Sequence, residues 1–228
     1  MDYRSAWHTE WSMPRLVAIA AGAAVWLALI ACSPPNQAKK NETPTPAKKE
    51  VVPDVYHVKL DTSKGLVDIE VHRDWAPVGA DHFYELVKTG FYDNARFFRV
   101  VRNFVVQFGI GGDPKTNQLW ASAMLPDDPV KEHNVKGSVT FATRGPHTRT
   151  TQVFINLADN RKDLDGHGFA PIGKVVAGMD VVEGLYSFYG DMPPAGQGPD
   201  PSKIQQLGSE YLESHFPRLD FIKKAAIQ

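Results

Sequence analysis

Arg99 lies in the run Phe97-Phe98-Arg99-Val100-Val101, with Phe104, Val105 and Gln107 following one short turn later. If Phe97 to Val101 is extended, alternation points Phe98 away from Phe97 and Arg99, so the cation shares a face with aromatic side chains. A planar guanidinium over an apolar floor presents hydrogen-bond donors in a fixed direction, which a mobile ammonium does not. The same residues also fit a plainer reading, in which Phe97, Phe98, Phe104, Val105 and Phe108 are core and Arg99 is a surface charge. Other chemistries find no support. There is no Gly-x-Ser-x-Gly elbow, no Gly-x-Gly-x-x-Gly and no Gly-Lys-Ser/Thr loop, and no His-x-x-x-His pair has a nearby Glu.

The composition narrows the classes further. The chain has 228 residues, 43% hydrophobic and 22% charged, with a net charge of −1. That is a globular balance with length for one generous domain, and it gives no field that would gather nucleic acid. The single cysteine, Cys32, excludes an intramolecular disulfide and a cysteine-based zinc site, so stability must come from packing.

Leu16 to Ala31 is uninterrupted and apolar, preceded by Arg15 and ended by Cys32. At 16 residues it sits between the h-region of a signal peptide and the roughly 20 residues of a spanning helix. Leu29-Ile30-Ala31-Cys32 resembles the lipobox of bacterial lipoproteins, which implies cleavage after Ala31 and lipidation of Cys32. The other reading is an uncleaved membrane anchor; both tether the protein outside the cytoplasm. Met13-Pro14-Arg15 makes a cleaner start to such a leader than the acidic stretch before it. Ser33 to Pro53 is rich in Pro, Lys and Thr and poor in apolar residues, so it reads as a solvated spacer. The expected division is a signal peptide over 1–31, a lipidated N-terminus and linker over 32–53, and one domain over 54–228.

Within that domain, Tyr56 to Leu60 and Leu66 to Val71 alternate around a turn-forming Asp61 to Gly65, which predicts a hairpin. Pro77 opens a helix that Gly90 closes. Strands are expected over 95–101, 104–108, 137–142, 152–157 and 172–176. Helices are expected over 179–187 and 203–215, and a closing strand over 219–227. Many short strands with few helices argue a sandwich or barrel.

Gly90-Phe91-Tyr92-Asp93, Phe97-Phe98-Arg99-Val100, Asn103 to Gln107 and Gly111-Gly112-Asp113-Pro114 together resemble the signature block of the cyclophilin-type peptidyl-prolyl cis/trans isomerases. The resemblance continues through Gly137 to Ala142, Gln152 to Ile155, Leu164-Asp165-Gly166, Phe169 to Val175 and Gly178 to Val182, and covers about 55–187. It implies a closed eight-stranded antiparallel β-barrel capped by two helices, here with an extra C-terminal helix. It places the catalytic arginine on Arg99 and the substrate-binding residues on Phe104, Val105, Gln107, Ala142, Thr143, Gln152, Phe154, Leu164 and Phe169. It implies no cofactor and no metal. Asp163 stands where many eukaryotic members carry a tryptophan that lines the cyclosporin surface, Thr143 replaces the usual asparagine, and Phe108-Gly109-Ile110 expands a loop beside the site. The expected partners are proline-containing unfolded or partly folded proteins and, through the lipid, a membrane; the protein is expected to be monomeric. A proline-peptide-binding chaperone module of the same fold with low turnover is the alternative.

Overall fold

The computed structural model describes residues 51–228. The leader, Cys32 and nearly all of the linker lie outside the described residues. Eight antiparallel strands form one curled sheet in the order β3-β4-β6-β5-β7-β2-β1-β8. The strands are β1 (Val55–Thr62), β2 (Gly65–His72), β3 (Arg99–Val101), β4 (Val105–Phe108), β5 (Ser138–Phe141), β6 (Val153–Asn156), β7 (Pro171–Ala177) and β8 (Ile222–Ile227). The helices are α1 (Pro77–Lys88), α2 (Pro114–Ala121), α3 (Arg161–Leu164), α4 (Met179–Glu183), α5 (Pro201–Leu207) and α6 (Ser209–His215).

The alternation that predicts the hairpin also fills the core. Val58 and Leu60 of β1 and Val67, Ile69 and Val71 of β2 face inward with Val106, Phe108, Val139, Phe141, Val153 and Ile155. At the hairpin turn the Thr62 hydroxyl accepts from Lys64 N and Gly65 N at 3.1 Å each. Phe83 of α1 lies against Tyr92 and Phe141, with ring centroids 5.5 and 6.4 Å away, which seats the helix on the sheet. The N-terminus of α1 has no cap of its own; the buried Asp128 supplies one from a distant loop, accepting from Val78 N and Gly79 N at 3.0 and 2.9 Å.

Several expectations need correction. The sheet is open and curled, where a closed barrel was expected. β3 is only three residues long, and its side of the seam meets the chain before β8 through an isolated bridge, Arg96 to Phe221, and a few loop hydrogen bonds. Of the two expected caps, α1 is full length but α4 ends at Glu183, before Gly184. The expected single helix over 203–215 is broken at Gly208, which has φ +63° and packs against the Gly112 carbonyl so tightly that a Cβ would collide. Helix α2 is additional to the expected elements, although its Asp113 cap and Pro114 start are legible in the sequence. Finally, the β3–β4 ladder begins only at Arg99, with Arg96 in an isolated bridge to Phe221 before it. Phe97 turns into the main core and Phe98 into a separate cluster with Ile110, Ile204, Tyr211, Leu212 and Leu219, and the Phe104 ring lies beside Arg99.

Candidate active site

The register of three strand pairs decides what lies on the outer face of the sheet. Arg99 pairs with Gln107, Gln107 with Phe154, and Phe154 with Thr140. One row further along, Val101 pairs with Val105 and Val105 with Asn156. The residues between these rows, Val100, Val106, Ile155 and Val139, point into the core. Period-two alternation therefore expels a cation, amides and apolar side chains together onto one patch of the outer face.

The apolar members form a cluster of their own. Phe104, Val105, Ala142, Phe154, Leu164 and Phe169 pack together, with Val101 at the margin, apart from the main core. The Phe154 and Phe169 rings meet edge to face at 5.8 Å. Phe104 follows directly after Asn103, whose φ of +60° makes the β3–β4 turn tight. Leu164 comes from α3 and Phe169 from the loop that the left-handed Gly168 closes before β7. Five separate places in the chain thus build one apolar wall.

Arg99 sits at the edge of that wall and is 2% exposed. Its guanidinium carbon lies 5.5 Å from the Phe104 ring centroid. Nη1 donates to Gln107 Oε1 at 3.1 Å, and Gln107 Nε2 donates onward to Gln152 Oε1 at 3.0 Å. The two sequence-predicted glutamines are thus links in one chain that starts at the arginine. The opposite edge meets a residue that sequence reasoning missed: Nε and Nη2 donate to the two carboxylate oxygens of Asp191 at 2.6 and 3.2 Å. This is a two-pronged, charge-assisted contact. Asp191 lies beyond the family motifs in a Pro- and Gly-rich loop, and no local spacing links it to a residue 92 positions away.

Behind the wall lies a buried polar network that also carried no sequence signal. Asn134 Nδ2 donates to the Phe169 carbonyl at 2.8 Å, and Asn160 Nδ2 donates to the Phe104 carbonyl at 2.9 Å. Asn134 Oδ1 accepts from Thr140 Oγ1 at 2.9 Å and Asn156 Nδ2 at 3.2 Å, and Asn156 Oδ1 accepts from Asn160 Nδ2 at 2.7 Å. The two sides of the apolar wall are therefore tied to each other through three asparagines. Asp165 ends the network, accepting from Asn134 N and Nδ2 at 3.0 and 2.9 Å and pairing with His133 Nδ1 at 2.8 Å. Burial alone would raise its pKa, but the bonds from Asn134 and His133 outweigh that and hold the carboxyl below its ordinary value.

Of the sequence-predicted site residues, the structure brings together Arg99, Phe104, Val105, Gln107, Ala142, Gln152, Phe154, Leu164 and Phe169. Thr143 lies next to Ala142, but its hydroxyl is engaged within its own loop, with the Gly145 carbonyl and the Thr148 hydroxyl. Asp163 is exposed on α3, one residue before Leu164 of the wall. The expanded loop links two cores, with Phe108 in the main one and Ile110 in the C-terminal cluster.

The profile of the family "Cyclophilin type peptidyl-prolyl cis-trans isomerase/CLD" matches residues 57–206. A peptidyl-prolyl cis-trans isomerase of Acinetobacter baylyi is 35% identical over 133 residues, covering 55% of this chain and 69% of that protein. Peptidyl-prolyl cis-trans isomerase B of Escherichia coli is 33% identical over 139 residues, covering 55% and 81%. Among solved structures, a cyclophilin-type isomerase of Cryptosporidium parvum superposes with a TM-score of 0.54 at 18% identity, over 76% of this chain and 98% of that one, which speaks to the fold. With an arginine held at the edge of an apolar wall on the outer face of the sheet, and with two thirds of its length matched by the family, the chain belongs to the cyclophilin-type peptidyl-prolyl cis-trans isomerases.

Proposed function

We propose that Arg99 is the catalytic donor of this isomerase, that the cluster of Phe104, Val105, Ala142, Phe154, Leu164 and Phe169 seats the proline ring, and that Gln107 and Gln152 engage the substrate backbone beside it. The observation that carries this reading is the pairing of a 2% exposed arginine with an apolar cluster separate from the core. Asp191 and Gln107 hold the arginine in place at the edge of that cluster, so a cationic donor of fixed direction lies beside an apolar surface.

Rotation about an Xaa-Pro bond crosses a barrier of about 18–20 kcal/mol set by amide resonance, while the isomers differ by only about 0.5–1 kcal/mol. No bond need be made or broken. In the twisted amide the nitrogen regains a lone pair, which a guanidinium N–H can meet; the planar ground-state nitrogen offers no such acceptor. Arg99 therefore binds the transition state better than the substrate, which is the condition for raising the rate. The apolar wall holds the pyrrolidine ring while the preceding carbonyl turns.

The protein acts, on this reading, in the cell envelope as a monomeric lipoprotein on prolines of unfolded or partly folded proteins. Support for the anchor is the apolar run over 16–31 ending in Leu-Ile-Ala-Cys and the hydrophilic spacer after it. Acyl chains contribute about 0.8 kcal/mol per buried CH₂, so several chains on Cys32 hold the protein stably. The test is proline isomerisation by the purified protein and its Arg99→Ala variant. A loss in kcat/KM of about 10²-fold or more is expected, since one preorganised donor supplies on the order of 2.7–4 kcal/mol. Near wild-type turnover in a folded Arg99→Ala protein refutes the role; peptide binding without turnover in the unsubstituted protein favours the binding-module reading.

A further inference from the structure

The loop between α4 and α5 is built around Asp191. Gly198 N donates to the Asp191 carbonyl at 2.8 Å, and a Cβ on Gly196 or Gly198 would run into that carbonyl. Met192 N donates to Asp191 Oδ1 at 2.8 Å, so the carboxylate is steered by its own backbone. Tyr189, two residues earlier, stacks edge to face on Phe216 at 5.0 Å and packs against the cluster formed by α5, α6 and Phe98. The C-terminal helices thereby anchor the loop beside β3, and the carboxylate meets the Arg99 edge formed by Nε and Nη2. Gln107 takes Nη1 on the other side. With side-chain exposures of 2% and 10%, water screens this pair little. Two parallel bonds fix the plane of a guanidinium, which one bond does not.

We propose that Asp191 is a positioning residue for isomerisation, holding the Arg99 guanidinium in one orientation at the edge of the apolar wall so that the donor is already aimed when the prolyl nitrogen regains its lone pair. The proposal rests on the reading of Arg99 as the catalytic donor. A preorganised donor loses effect steeply when it wanders, so orientation matters more for turnover than for peptide binding. The C-terminal helices, which pack away from the wall, then contribute to catalysis by bracing the loop.

The test is a cycle of Asp191→Ala, Arg99→Ala and the double variant in the full chain, with Asp191→Asn as the variant of nearly unchanged shape. Asp191→Ala is expected to lower kcat by about 10-fold or more while KM for a prolyl peptide moves by less than about 3-fold. Asp191→Asn, which keeps one acceptor, should fall between it and the unsubstituted protein. In the Arg99→Ala background, Asp191→Ala should change kcat/KM by less than about 2-fold, because its effect passes through the arginine. The hydrogen-bonded Arg99 Nε–H resonance, assigned through the Arg99 variants, should be sharp in the unsubstituted protein and lost in Asp191→Ala. Additive losses in the cycle, an unchanged Nε–H signal, or unchanged turnover would each overturn the proposal. A rise in turnover would overturn it too, marking Asp191 as a competitor for the arginine. If Arg99→Ala alone keeps its activity, the underlying reading of Arg99 fails first.

Discussion

Replacing Asn134 with alanine tests whether the polar network behind the apolar wall holds the site together. Asn134 is fully buried, and its amide bonds the Phe169 carbonyl, the Thr140 hydroxyl, the Asn156 amide and Asp165. Thr140 and Asn156 are themselves fully buried, so water does not simply take over. Asn156 keeps its bond to Ser138 Oγ at 2.9 Å, and Asp165 is only partly buried, which leaves the Phe169 carbonyl and the Thr140 hydroxyl as the groups that lose most. Each stranded buried group costs about 1–3 kcal/mol. With the hole left by the amide, the total comes to about 3–5 kcal/mol, a large share of the roughly 5–15 kcal/mol of a typical domain. At about 2–4 °C per kcal/mol for a domain of this size, the thermal midpoint should fall by about 10 °C. Denaturant unfolding gives the free energy and a prolyl-peptide titration gives the affinity, which should drop as Phe169 loosens against Phe154. A loss below about 1 kcal/mol with unchanged peptide affinity would refute the reasoning, because it would mean that neither the Phe169 carbonyl nor the Thr140 hydroxyl depends on Asn134.

Asp165→Asn should flatten the acid limb of the stability curve. A carboxyl held below its ordinary pKa of 3.8 stabilises the fold above that value and loses the contribution as pH falls through the depressed one, so the stability gap between the two proteins should be largest above about pH 4 and narrow as unfolding is measured at successively lower pH; a gap that does not change with pH contradicts this. Cyclosporin-type inhibition should be at least about 10-fold weaker than in a tryptophan-bearing member, equivalent to about 1.4 kcal/mol, because an exposed carboxylate supplies neither apolar area nor an indole donor, and Asp163→Trp should recover part of that affinity; tight inhibition of the unsubstituted protein would contradict this. Cys32→Ser should leave an unprocessed precursor, and a mature, unacylated N-terminus found elsewhere by mass spectrometry would remove the lipoprotein reading.

Alternation and motif made much of this protein legible from its sequence. The pairing of Tyr56 to Leu60 with Leu66 to Val71 follows from period two and the turn at Thr62 to Gly65, and the extent of α1 follows from Pro77 and Gly90, since these are local preferences of a few consecutive residues. The residues of the apolar wall and the arginine beside it were identified through the family motifs, whose order along the chain is itself sequence information. What tertiary structure decided are contacts between residues far apart in the chain. Asp191 reaches Arg99 across 92 positions, Asp128 caps α1 from 50 positions away, and Asn160 reaches the Phe104 carbonyl across 56. A carboxylate or an amide can satisfy many partners, and its own neighbours in sequence do not say which. The phase of Phe97 and Phe98 failed for a related reason: the β3–β4 ladder begins only at Arg99, and the two rings are claimed by different clusters, one of them made by C-terminal helices more than 100 residues away. Period-two arithmetic holds only where a ladder fixes the backbone, and where that ladder starts is set by the partner strand.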